Sequence, residues 1–210
     1  MNSGKEILLY ENKWFQLDEE HFFHATDGSK ADQITKVKLK KEGSDLRIDF
    51  ECLDNPFVNE NHYLEHNSAM WNQEVFEIFI EKGAEIPKRY LEIEINPNDA
   101  LFVGWIDNPT GSAPAKCDFL ETNLSGISHQ VEKNQKSWRG FLNIPLILIG
   151  SLSNIYRINF FRIVSTKSHS NKDWKCTLSD ADFTCLSPTF SGADPKFHIP
   201  KAFVKLRIEE

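Results

Sequence analysis

Apolar residues recur at every second position through most of this chain, the period of a strand whose side chains alternate between two faces. Residues 45–53 alternate through Leu46, Ile48, Phe50 and Cys52, and residues 34–40 do so through Val37 and Leu39. The intervening Glu42-Gly43-Ser44-Asp45 predicts a hairpin turn. Residues 90–96 place Leu91, Ile93 and Ile95 inward, with Glu92 and Glu94 outward, and end in Asn96-Pro97-Asn98-Asp99, a sequence with turn chemistry. Residues 100–106, 127–131, 138–143 and 204–208 add further strands. Long amphipathic helices are absent from the pattern; residues 146–152, following Pro145, read as a short helical turn.

Two stretches depart from simple alternation. In Trp71-Asn72-Gln73-Glu74-Val75-Phe76-Glu77-Ile78-Phe79-Ile80, Phe76, Ile78 and Ile80 point one way and Val75, Glu77 and Phe79 the other. Both faces are mostly apolar, which predicts a central strand covered on both sides. Residues 155–164 read the same way, with Arg162 on the stripe of Ile158, Phe160 and Val164. A charge on an apolar stripe is costly unless paired. Glu77 and Arg162 therefore stand either as a structural ion pair or as the polar half of a ligand site walled by Trp71.

The predicted architecture is all-β, a single antiparallel β-sandwich formed by residues 1–210 with long loops at 54–70, 107–122 and 165–196. Function on such folds usually resides in the loops. No repeat, low-complexity tract or linker divides the chain. Its 210 residues carry a net charge of −7, with 24 Lys and Arg against 31 Asp and Glu, which argues against general nucleic-acid binding. Mean hydropathy is −0.44 and no window approaches the roughly 18 apolar residues of a membrane span. The four apolar residues from Ile7 to Tyr10 are too few for a secretory core, so the expectation is a cytoplasmic chain or a mature, trimmed secreted one. Cys52, Cys117, Cys176 and Cys185 form no zinc-type spacing; Cys52 reads as core, and Cys176 and Cys185 flank one loop.

The order of elements resembles the family 9 carbohydrate-binding modules and their relatives in the DOMON superfamily. The residues that carry the resemblance are Trp71, Glu74, Glu77 and Phe79, then the Tyr90-led strand ending in Asn96-Pro97-Asn98. The Trp138-led strand ending in Ile144-Pro145 and the Asn159-Phe160-Phe161-Arg162 run follow. Ser187-Pro188-Thr189, Phe197-His198-Ile199-Pro200 and Ala202-Phe203-Val204 complete the series, which spans about residues 14–206. The resemblance implies a β-sandwich that holds sugar ends between aromatic rings while charged and amide groups read the hydroxyls. Trp71, Glu77 and Arg162 occupy positions like that binding face. Sugar-binding relatives carry a second aromatic, commonly Trp, before Ser-Pro-Thr, where this chain has Leu186. Trp174, in a polar loop, and Trp105, near a strand end, are the candidates to replace it. Val204 also stands where relatives carry Gly.

The expected function is thus non-catalytic recognition of a mono- or oligosaccharide, with no membrane span and no nucleic-acid partner. A haem-binding DOMON-type domain is the first alternative, with Met70 and one of His66, His169 or His198 as iron ligands. A degenerate module without sugar binding is another. A two-carboxylate glycosidase ranks last, because Glu74 and Glu77 lie on opposite faces of one strand. No cofactor is expected; calcium at Asn96-Pro97-Asn98-Asp99 is chemically reasonable, although an ordinary turn explains those residues as well. Glu92 and Glu94, about 7 Å apart along a strand, read as solvated. His198 reads as structural, and Trp14 and Trp138 as core or rim.

Overall fold

The computed structural model describes residues 6–17, 21–150 and 153–209. The strands are β1 (Glu6–Tyr10), β2 (Phe15–Gln16), β3 (His21–His24), β4 (Lys30–Glu42), β5 (Asp45–Cys52), β6 (Val75–Lys82) and β7 (Arg89–Ile95). They continue with β8 (Leu101–Asp107), β9 (Lys116–Phe119), β10 (Ser128–Lys133), β11 (Trp138–Pro145), β12 (Ile155–Ser165), β13 (Ala181–Cys185) and β14 (Val204–Glu209). The only helical pieces among the described residues are short 3₁₀ turns, including Leu146–Ile149, where the turn after Pro145 is expected. Residues 151 and 152 of that expected turn, and the leader reading at residues 1–5, lie outside the described residues.

One sheet runs β12-β6-β7-β8-β9, and the far side of β12 is shared by β14 near its start and β13 near its end. The other sheet runs β10-β11-β5-β4-β2. The long β4 joins them: its first residues pair with β3, and its later ones with β5 across the predicted hairpin. Pairing is antiparallel except between β1 and β14 and at the isolated Glu11–Lys41 bridge. Strands β9 and β13 fall inside stretches expected as loops, since four or five residues of weak alternation give little signal.

Phe76, Ile78 and Ile80 point between the sheets and meet Phe50, whose ring stacks 4.5 Å from that of Phe76. Trp138, Val37, Leu39 and Ile48 complete this core from the second sheet. The first sheet is apolar on its outer face as well. Val75 and Phe79 of β6, Tyr90 of β7, Phe102 and Ile106 of β8, and Phe161 of β12 pack there with Met70, Phe197 and Phe203. Residues from the segments before β6 and between β13 and β14 thereby cover that face. Its aromatic and β-branched content explains why β6 is a strand with both sides buried.

Candidate functional site

Arg162 does not meet Glu77. Register pairs Arg162 with Phe76 and Phe161 with Glu77, so the guanidinium points between the sheets while the Glu77 carboxyl points outward. Arg162 is fully buried and donates to Glu74 (3.1 Å) and to the carbonyls of Ile34 and Leu53 (both 3.1 Å). Glu74 also accepts from the Trp138 indole N–H at 2.7 Å. Burial raises the Glu74 carboxyl above its ordinary range, and Arg162 and the Trp138 hydrogen bond work against that rise. The misplaced arginine is therefore a structural ion pair, with Glu74 as its partner, and it is not available to a ligand on the other face.

Glu77 has different neighbours. It stands directly opposite Glu94 on β7, and Glu92 lies one pleat further along the same face. The three carboxyls each have an oxygen within 4.8 Å of the other two. They are 2%, 1% and 6% exposed for Glu77, Glu94 and Glu92. The solvated reading of Glu92 and Glu94 is thereby corrected: the outer face of β7 is covered by the segments that wrap the first sheet. Burial pushes Glu77 well above the ordinary carboxylate range, and the charge of Glu92 adds to it. Burial raises Glu92 to about 8, with a hydrogen bond from Glu94 opposing the rise. Glu94 is raised well above its ordinary range by burial, then by the Glu77 and Glu92 charges and by donating that hydrogen bond.

Aromatic groups rim this acidic patch. Phe102 lies opposite Glu94 on β8, and the Trp71 ring meets it edge to face at 5.5 Å. Phe119 meets Phe102 in the same manner at 5.6 Å. Trp71 and Phe119 remain 42% and 60% exposed. His198 stacks on Phe79 with ring centres 4.9 Å apart, and its Nε2 is 3.9 Å from Glu92. Asn108 donates to the Tyr90 hydroxyl, which is also hydrogen-bonded to His198 Nδ1, 2.8 Å away. Burial holds His198 at about 4, so the ring is neutral near pH 7.

The turn that carries Trp71, Met70–Asn72, is held by side-chain amides. Gln73 accepts from the His62 backbone N–H and donates to the carbonyls of Lys172 and Trp174 (both 3.1 Å). Asn61, Asn96 and Asn98 lace the preceding segment to the β7–β8 turn. The Asn96 side-chain oxygen accepts from the backbones of Asn98 and Ala100, and Asp99 is paired with His129. These oxygens act in the turn.

Neither candidate replacement ring faces Trp71. Trp174 is 7% exposed, stacks on His169 at 4.0 Å and donates its indole N–H to the Glu60 carbonyl at 2.9 Å. Trp105 pairs with Leu91 on the inward face of the sheet and packs on the inter-sheet core. Leu186 is buried in that core too. Met70 is fully buried in the outer apolar cluster, and His66 accepts a hydrogen bond from the Leu101 backbone. Glu74 and Glu77 do face opposite ways. All four cysteines are free, Cys52 and Cys185 buried.

The residues missed from sequence are Glu92, Glu94, Phe102, Phe119 and His198 beside them. The available signal was Tyr90, which shares the face of Glu92 and Glu94, together with Phe102 and Ile106 on the next strand: apolar residues on a face taken as polar.

This arrangement of two sheets has the fold of the family 9 carbohydrate-binding modules. Two solved structures of such a module from Caldicellulosiruptor kristjanssonii, in complex with glucose and with cellotriose, superpose with TM-scores of 0.59 and 0.58. They cover 98% of this chain, and 96% and 94% of theirs, at 13% and 14% identity. A candidate carbohydrate-binding protein from Bacteroides uniformis superposes over 99% of this chain and all of its own, with a TM-score of 0.67 and 16% identity. In sequence, a protein of Arthroderma benhamiae described as extracellular is 29% identical over 143 residues, 63% of this chain. The match spans 64% of that relative's length. No protein-family model matches the chain.

Proposed function

We propose that this chain is a non-catalytic carbohydrate-binding module that recognises a mono- or oligosaccharide on the outer face of its first sheet. The observation that carries the reading is a half-exposed Trp71 on Phe102, adjoining the buried row of Glu77, Glu94 and Glu92. A flat indole offers the apolar face of a sugar ring a partner, while carboxyl groups beside it accept hydrogen bonds from hydroxyls. The neighbours solved with glucose and cellotriose support glucans as the first ligands to try. Leu186 in the core and Trp174 under its own loop leave one wall rather than a clamp, so the affinity expected is weak, on the order of millimolar to high micromolar.

The test is calorimetric titration of the full chain with glucose, cellobiose, cellotriose and a wider glycan panel. Trp71→Ala should lower the affinity on the order of tenfold or more while leaving the fold intact. Silence across the panel would leave the degenerate-module reading in its place. Turnover of a chromogenic glycoside would overturn the non-catalytic part.

A further inference from the structure

We propose that Glu77, Glu92 and Glu94 hold a divalent cation of the calcium class on the outer face of the first sheet. Three carboxyls are brought together by strand register alone, Glu77 facing Glu94 and Glu92 following it, with oxygens within 4.8 Å of one another. Ligand oxygens on one calcium ion lie roughly 2.3–2.6 Å from it, hence up to about twice that from each other. The trio fits that spacing.

A second observation points to a ligand rather than to a fortuitous cluster. Glu94 is 1% exposed, and its Oε2 is buried without any hydrogen-bond partner. A buried carboxylate oxygen left unmatched costs on the order of a few kcal/mol, more when charged. The charged groups bearing on the three carboxyls are one another and Cys117, all acidic. Shared protons relieve part of that repulsion, as the hydrogen bond from Glu94 to Glu92 does. A shared proton serves one pair of carboxyls at a time, whereas a cation seated between the three would serve all of them together.

The donor set selects the ion. Three carboxylates without thiolate favour hard, oxygen-seeking cations over zinc or copper. Magnesium demands near-ideal octahedral geometry and retains several waters, which suits a buried patch walled by Phe79, Phe102 and Phe161 less well than calcium's looser coordination. His198 holds its Nε2 3.9 Å from Glu92 and stands outside the set of three close oxygens. Gly104, opposite Glu92 on β8, has no Cβ; one there would lie 2.8 Å from Cys117 Sγ. Resting on the carbohydrate reading, the same ion would sit on the side of Phe102, on which Trp71 packs, and present open coordination to sugar hydroxyls.

The experiment uses the full chain stripped with chelator and dialysed. Calcium chloride at about a hundredfold excess over the dissociation constant should raise the melting temperature by about 5 °C or more. Calorimetry should give one calcium per chain, with magnesium at least about tenfold weaker. Glu92→Gln and Glu77→Gln keep shape and relieve repulsion, so they should fold while losing at least about tenfold in calcium affinity. Glu132→Gln, exposed on the other sheet, should change nothing. No stoichiometric calcium binding, or binding retained in both site variants, overturns the proposal. Glucosamine that binds in place of calcium also overturns it, since the trio would then be an ammonium site. Repeating the glycan titration with and without calcium separates the two readings: calcium binding without any sugar response sinks only the carbohydrate function, and calcium-independent sugar binding sinks only the open-coordination role.

Discussion

Glu77 and Glu94 face each other across neighbouring central strands, both essentially out of water, with no basic side chain among the groups that shift them. Like charges directly opposite on a sheet are destabilising, and burial magnifies the penalty. Replacing one carboxyl by an amide removes an ionisable group and adds donors that the remaining oxygens accept. In the presence of chelator at pH 7.5, Glu94→Gln should therefore stabilise the protein by ~1–2 kcal/mol. Urea unfolding followed by tryptophan fluorescence measures it; a variant less stable than the parent would show that the trio is relieved in some other way.

The Arg162–Glu74 pair predicts the reverse. Arg162 also donates to the Ile34 and Leu53 carbonyls, so it ties β12 to both strands of the β4–β5 hairpin at its open end. Arg162→Met leaves Glu74 without its cation and the Leu53 carbonyl without its side-chain donor, and should cost ~3–5 kcal/mol. Trp138→Phe removes the second donor to Glu74 together with part of a buried ring and should cost ~1–3 kcal/mol. Neither should alter sugar affinity of the folded fraction at a temperature where the variant remains native, measured by titration calorimetry; a specific loss in Arg162→Met would restore the guanidinium to the ligand site.

These two relationships mark what the sequence makes legible. The double-faced pattern of β6 and β12 is local, and it correctly yields strands buried on both sides with one buried charge each. The partner of each charge depends on register between strands 70 or more residues apart, where a shift of one residue exchanges faces. Opposite sign suggests that Glu77 pairs with Arg162, whereas register sends them to opposite faces. Glu92 and Glu94 alternate with Leu91 and Ile93 as on any half-exposed strand, because what covers them is irregular chain without periodicity. Trp174 is similar: a ring among Lys172, Asp173 and Lys175 looks exposed until Gln73 and Glu60 draw its backbone and indole inward.

Gly104 is a steric test of the site. A methyl group there would lie 2.8 Å from Cys117 Sγ and 3.1 Å from the Phe102 ring, both of which must yield. Gly104→Ala should cost ~1–3 kcal/mol. Because Phe102 supports Trp71, it should also weaken glycan binding beyond what the loss of stability explains. The double variant Gly104→Ala with Cys117→Ala removes the nearest obstacle and should recover part of both, read by thermal denaturation and by calorimetry.

Glu81, at the far end of β6, predicts a pH effect apart from the acidic trio. Burial, opposed by its Lys82 hydrogen bond and by the Lys82 and Arg89 charges, raises it from the ordinary 4.5 to about 7. Between those two values the folded chain holds more proton at this position than the unfolded chain does. Stability from this group is therefore fully present below about pH 4.5 and is lost as pH rises toward 7. The side chain is half in solvent, so screening limits the loss to ~1–2 kcal/mol. Glu81→Gln carries no titrating proton, and its stability relative to the parent should rise by that amount between pH 4.5 and pH 7.5. Parallel urea curves at five pH values test this, and a constant offset between the two proteins would place the Glu81 carboxyl back in the ordinary range.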